Sequence, residues 1–144
     1  HNMESLVEDA VSKGAKIYRG GKRAEREGFF YEPTVLVNVD KTMRVYQEEI
    51  FGPIMPIYSF NDEADIVAMA NDTEYGLAAY VYTKDLSMAM KLSQEIDAGS
   101  VCVNEPFYAY QLPHGGCKQS GIGKDCSRIG LEEYYTVQRI SIKL

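Results

Sequence analysis

Residues 77–104 read LAAYVYTKDLSMAMKLSQEIDAGSVCVN, and their pattern sets the fold class. The run from Leu77 to Tyr82 is short, apolar and aromatic, which suits a strand. Thr83 or Asp85 then offers an oxygen to cap a helix N-terminus. Leu86, Ala89, Met90, Ser93 and Ile96 recur at helical spacing on one face, and Gly99 supplies the stop. Residues 100–104 return to strand character, with Cys102 reading as a small buried hydrophobe. Strand, helix and strand joined by short links predict a right-handed crossover and an α/β sheet.

The same rhythm extends upstream. Residues 55–60 read as a strand, and Asn61 or Asp62 caps a helix reaching about residue 71. Residues 30–37 form an earlier extended stretch with Pro33 inside it, which predicts an edge or irregular strand. Lys16, Ile17 and Tyr18 make a short strand. Met3, Leu6, Val7, Ala10 and Val11 make the first helix, with Gly14 as its C-terminal cap. The architecture expected is α/β, an open and mostly parallel sheet with flanking helices. Downstream, residues 105–127 break the periodicity with aromatics, prolines and glycines, the mark of a functional loop or a surface wrap. A short helix near residues 128–134 precedes a tail that alternates Ile140, Ile142 and Leu144 with Arg139, Ser141 and Lys143, an amphipathic strand.

Composition narrows the function. The chain has 144 residues, enough for one domain with a core, and its formal charge of -6 argues against a nucleic-acid surface. No apolar run approaches the roughly 20 residues of a membrane span. Three cysteines, Cys102, Cys117 and Cys126, form no CxxC pair. An odd, scattered set fits reduced thiols in a cytoplasmic protein better than a disulfide framework. His1-Asn2-Met3 reads as a vector scar or a truncated start, since the first periodic pattern begins at Met3.

Several candidate sites fail on inspection. Gly116 and Gly121 have P-loop spacing, but Ile122 and Gly123 stand where Lys and Ser or Thr are required. Gly121-Ile122-Gly123 follows a loop and reaches no third glycine, so it is no dinucleotide fingerprint. These glycines read as sharp turns. Lys118 beside Cys117 could lower its thiol pKa, and His114 stands three residues before it, but no second histidine or matched carboxylate accompanies His114. A structural thiol is the better reading, and the histidine and cysteines make no metal ligand set. Gln47-Glu48-Glu49-Ile50-Phe51-Gly52-Pro53 is more informative. It is either a solvated acidic turn or a rigid ligand-facing corner, and the aromatic and Gly-Pro turn favour the corner. A carboxylate there can accept hydrogen bonds from both hydroxyls of a ribose.

Five ordered segments carry a resemblance: EEIFGP (residues 48–53), NDTEYGLAAYVYTKD (71–85), AGSVCVN (98–104), PHGGCKQSGIGKD (113–125) and GLEEYYTVQ (130–138). Together they resemble the C-terminal part of the catalytic domain of NAD(P)-dependent aldehyde dehydrogenases, over essentially the whole chain. The resemblance implies that Glu49 binds the nicotinamide ribose and that Phe51 packs against ribose and nicotinamide of NAD or NADP. It implies that residues 104–114 form the mouth of a substrate tunnel, with Glu105, Phe107, Tyr108, Tyr110 and His114 on its wall. Residues 1–135 would belong to the catalytic domain. Residues 136–144 would be the oligomerisation strand, pairing with a neighbouring subunit of a dimer or tetramer.

In that family a cysteine thiolate attacks the aldehyde, hydride leaves to NAD(P)+, and a glutamate activates the water that hydrolyses the thioester. The resemblance puts nucleophile, general base and coenzyme domain upstream of EEIFGP. None of the three cysteines matches the nucleophile's motif, so no catalytic residue is assigned and the isolated chain is expected to be inactive. The substrate implied is a small-molecule aldehyde. An acid and three aromatics at the tunnel mouth suit an aminoaldehyde through charge pairing and cation-π contact, and a semialdehyde is less suited because no arginine stands in that loop. Nonspecific tunnel aromatics are the plainer alternative. A different class of reading is a non-catalytic module that assembles through its terminal strand.

Overall fold

The computed structural model describes residues 1–61 and 63–144, the side chains of residues 63–65 excepted. The chain divides into two units, His1–Asn61 and Asp62–Leu144. In the first, the apolar spacing of the N-terminal segment produces helix α1 (Asn2–Ser12), which buries Leu6, Val7 and Ala10. Gly14, at φ +109°, ends it. Gly14 N–H donates to the Val11 carbonyl (3.1 Å) and Ala15 N–H to that of Ala10 (2.9 Å), the paired bonds of a Schellman stop.

Three strands follow, β1 (Lys16–Arg19), β2 (Thr34–Val37) and β3 (Ile54–Pro56), with a one-turn helix α2 (Arg44–Gln47) between the last two. β2 is the centre of this sheet, antiparallel to β1 and parallel to β3. That overturns the edge position expected from Pro33. The proline stands one residue before the first rung, so its missing N–H costs no ladder bond. Leu36, fully buried, packs with Leu6, Val7, Ala10, Met43 and Val45 in the core of this unit. Thr34 is buried too, and its hydroxyl is satisfied twice, accepting from Gly21 N–H and donating to the Glu32 carbonyl, both at 2.8 Å.

The second unit begins with α3 (Glu63–Asn71). Of the caps expected for it, Asp62 lies outside the described residues. Strands β4 (Tyr75–Gly76), β5 (Ala78–Val81), β6 (Ser100–Val103) and β7 (Cys117–Lys118) pair as an antiparallel β4–β7 and a parallel β5–β6. Helix α4 (Leu86–Glu95) links β5 to β6, which is the crossover expected of residues 77–104. Asp85 caps it through Ser87 N–H (2.8 Å) and Met88 N–H (3.2 Å). Its buried side chains are Ala89 and Leu92, while Leu86 and Met90 are exposed, so the buried stripe is rotated from the one expected.

The mixed α/β class therefore holds, with its strands in three small sheets. β3 is held to three residues by Pro53 and Pro56 at its borders. β7 lies inside the aperiodic loop, too short to leave a periodic signal. A last helix, α5 (Ser127–Glu132), precedes residues 136–144, which are exposed and pair with no strand among the described residues. An extended segment becomes a strand only when a neighbour supplies the ladder.

Candidate functional site

The corner at residues 48–53 is built by the elements on either side of it. Asp9 of α1 accepts from Arg44 N–H at the start of α2 (2.9 Å), and Arg44 in turn grips both carboxylate oxygens of Glu48 (2.6 and 3.0 Å). That guanidinium holds Glu48 below the usual carboxylate range. The two acids of the pair thus part company. Glu48 is committed to the protein, whereas Glu49 is exposed, with no protein donor on it among the described residues.

Phe51 follows at φ +42° with its ring 88% exposed. Its backbone is fixed from the C-terminal side, where Ile54 N–H donates to the Gly52 carbonyl and Thr34 N–H to that of Pro53, both at 2.8 Å. A Cβ at position 52 would run into the Met3 thioether of α1, the far end of a flexible side chain that would have to shift. The corner presents one free carboxylate and one bare aromatic face on a stiff turn.

In the second unit, strand β6 and the loop after it enclose a cavity of about 310 Å³. Glu105, Phe107, Tyr108 and His114 of the expected tunnel residues line it. Tyr110 does not, and its side chain is 75% exposed. What Tyr110 contributes is a carbonyl that accepts from Ser127 N–H (2.8 Å) at the start of α5. Asn104, at φ +63°, carries β6 into this loop by imitating a further rung. Its side chain accepts from Thr83 N–H and donates to the Thr83 carbonyl, both at 2.9 Å.

His114 does have a matched carboxylate, against the expectation from sequence. Its Nδ1 lies 2.8 Å from Asp125 Oδ1, and the two main chains exchange hydrogen bonds of 2.9 and 2.8 Å. Tyr108 meets the imidazole edge-on at 5.5 Å between ring centres, and its hydroxyl lies 3.1 Å from Cys126 Sγ. That bond pushes the Tyr108 pKa up. Asp125 stands eleven residues from His114, across a glycine-rich excursion that hid the pairing; the glycines at both ends of that excursion were its only sequence signal.

The cysteines settle into structural surroundings. Cys117 donates toward the Gly76 carbonyl (3.3 Å) and Asp97 (3.3 Å to Oδ1), and burial together with that carboxylate raises its pKa. Lys118 still pulls the thiol pKa down, but burial and Asp97 outweigh it; the ammonium itself binds the Asn71 and Thr73 carbonyls (3.1 and 3.2 Å) and Asp97 Oδ2 (3.3 Å). Cys102 is only half-buried and lines the cavity, with Sγ 3.6 Å from the Phe107 carbonyl. Gly121 and Gly123 adopt φ of +134° and +77°, as sharp turns require. Among the described residues no three His, Cys, Asp or Glu groups gather as a metal site, and no helix is long and apolar enough to cross a membrane.

A mixed α/β chain carrying this acid–aromatic corner and a loop-walled cavity belongs to the aldehyde dehydrogenase family, whose family model matches residues 1–140. Among its relatives, glutarate-semialdehyde dehydrogenase of Pseudomonas putida is 45% identical over 99% of this chain and 29% of that protein. The NADP(+) succinate-semialdehyde dehydrogenase of Escherichia coli is 43% identical over 99% of this chain and 30% of its own length. The chain thus spans under a third of these relatives. Betaine aldehyde dehydrogenase from Staphylococcus aureus, solved in complex with NAD+, superposes with a TM-score of 0.87 at 43% identity over 92% of this chain and 27% of that one.

Proposed function

We propose that this chain works as part of an NAD(P)-dependent aldehyde dehydrogenase, supplying a coenzyme-facing corner and one wall of the substrate passage. The supporting observation is the unequal fate of the two acids at residues 48 and 49. Arg44 takes Glu48, so Glu49 alone keeps a carboxylate available to vicinal hydroxyls, beside the exposed ring of Phe51. An acceptor-only group next to a bare aromatic face fits a ribose bearing a flat heterocycle, and NAD and NADP share that part. Glu49 would orient the ribose and Phe51 would shield the ring from water. When bound, the coenzyme supplies the hydride acceptor.

The reaction is oxidation of an aldehyde to its carboxylate through a thioester on a cysteine other than Cys102, Cys117 and Cys126. Glu105, Phe107, Tyr108 and His114 would wall the approach to it, with an aminoaldehyde or a semialdehyde as substrate, and Tyr110 would stand at its rim. Residues 136–144 support a homo-oligomer, since Val137, Ile140, Ile142 and Leu144 are all exposed on a segment whose backbone has no partner strand among the described residues. The same tail supports a second reading, a non-catalytic module that assembles through it.

Glu49→Gln tests the enzyme reading in the full-length protein. Losing the acceptor charge should lower kcat/KM by about tenfold or more, through coenzyme placement. Glu48→Gln, which removes only an internal ion pair, should change it far less. Equal, unaltered kinetics for both variants with NAD+ and NADP+ would sink the assignment.

A further inference from the structure

The hydrogen-bonding character of the cavity wall follows from its side chains. Among the described residues the side-chain donors on it have partners within the chain. Cys102 donates to the Phe107 carbonyl (3.6 Å), the Ser100 hydroxyl toward that of Leu77 (3.5 Å), and the Tyr108 hydroxyl is joined to Cys126. Among the described residues no lysine or arginine lines it, and Lys124 is occupied by the Gly115 and Gly116 carbonyls (2.9 and 3.0 Å). Glu105 is an acceptor only.

His114 is the remaining polar side chain on that wall, and Asp125 decides what it offers. A carboxylate can only accept, so the Nδ1 facing it at 2.8 Å carries the proton. In the neutral ring Nε2 is then left as an acceptor. The ring is held in place by the paired main-chain bonds of His114 and Asp125 and by the near-perpendicular ring of Tyr108. His114 lines both this cavity and the adjoining one of about 400 Å³, whereas Asp125 lines only the second. The carboxylate that holds Nδ1 thus belongs to the lining of the second cavity and not of the first.

We propose that Asp125 is a positioning residue that fixes His114 as an acceptor, so that the cavity selects aldehydes bearing an ammonium or hydroxyl group over those ending in a carboxylate. This rests on the aldehyde-oxidising reading above. A carboxylate would meet Glu105 and a lone pair, with no lysine or arginine among the described residues of this wall to offset them. A donor-bearing chain would find two acceptors and the rings of Phe107 and Tyr108.

Two measurements test it. Nitrogen-15 NMR of the chain, with His114 assigned from its loss in His114→Gln, should show the Nδ1-protonated neutral tautomer. Asp125→Asn, which keeps an acceptor oxygen, should preserve that tautomer, and Asp125→Ala should shift the ring toward Nε2 protonation. An imidazolium or an Nε2-protonated ring in the unaltered chain at assay pH overturns the proposal. In the full-length enzyme, the ratio of kcat/KM for β-aminopropanal over succinic semialdehyde should fall about threefold to tenfold in Asp125→Ala, and under about twofold in Asp125→Asn. Aldehyde oxidation with an unchanged ratio overturns this inference alone. A full-length protein that oxidises no aldehyde with NAD+ or NADP+ overturns the enzyme reading and this inference together.

Discussion

The two units are held together by different means. Residues 1–61 close around one apolar cluster running from Leu6 through Leu36 to Ile54. Among the described residues of 63–144 the buried apolar side chains are Val81, Ala89 and Leu92, and polar ties to the backbone do much of the joining. Asn71 accepts from Asp97 N–H and donates to the Glu95 carbonyl, both at 2.8 Å, and Lys118 and Lys124 each bind two carbonyls. An apolar core tolerates a turn carrying a bare ring because its stability lies elsewhere. A loop pinned by individual hydrogen bonds instead makes each of those bonds part of the shape of its cavity.

The largest change should come from Leu36→Ala, which empties the centre of the first unit. It should destabilise that unit by about 3 kcal/mol, read as faster amide exchange in β2 with exchange in β6 unaltered. Equal losses in both units would erase the distinction. Gly99→Ala should come next, at about 2 kcal/mol. A Cβ there collides with the Gly115 carbonyl, so the loss should show in β6 and β7 and leave α1 untouched.

Asn71→Ala removes two ties without touching an apolar side chain and should cost about 1 kcal/mol in the second unit, seen in the denaturant midpoint. A shift near zero would mean that the polar ties there merely replace solvent bonds. The smallest effect belongs to an exposed ion pair of the first unit. Arg23 holds Glu4 with bonds of 2.7 and 2.9 Å and lowers its pKa from 4.5 to about 2. A depressed carboxylate stabilises above its unfolded pKa, so this contribution is complete above pH 4.5 and fades as pH falls toward 2. Glu4→Gln should flatten the acid limb of a stability–pH curve slightly, because solvent screens the pair. A steeper limb would contradict that sign.

What could be read in advance follows the same division. The spacing of Leu6, Val7 and Ala10 gave α1 and its buried face, and residues 77–104 gave the β5–α4–β6 crossover, because periodic burial leaves a periodic trace. The central place of β2 was hidden by Pro33, which sits just outside the ladder. Asp125 escaped notice because one isolated pairing across an eleven-residue excursion has no period. The neighbourhood of Cys117 was misjudged from Lys118, since adjacency in sequence says nothing about where an ammonium is drawn. The corner was legible as an acid–aromatic motif, but which acid stays free depends on Arg44, four residues away on α2.

Phe51 shows how narrowly that corner can vary. At φ +42° the backbone lies in the left-handed region, where β-branched side chains are strongly disfavoured. Valine, isoleucine and threonine are closed to the position whatever their polarity, while glycine, asparagine and aspartate suit the backbone but bring no flat apolar face. The same dihedral that displays the ring thus limits its replacement to unbranched residues that bear the strain, and substitution at residue 51 should divide by backbone shape before it divides by hydrophobicity.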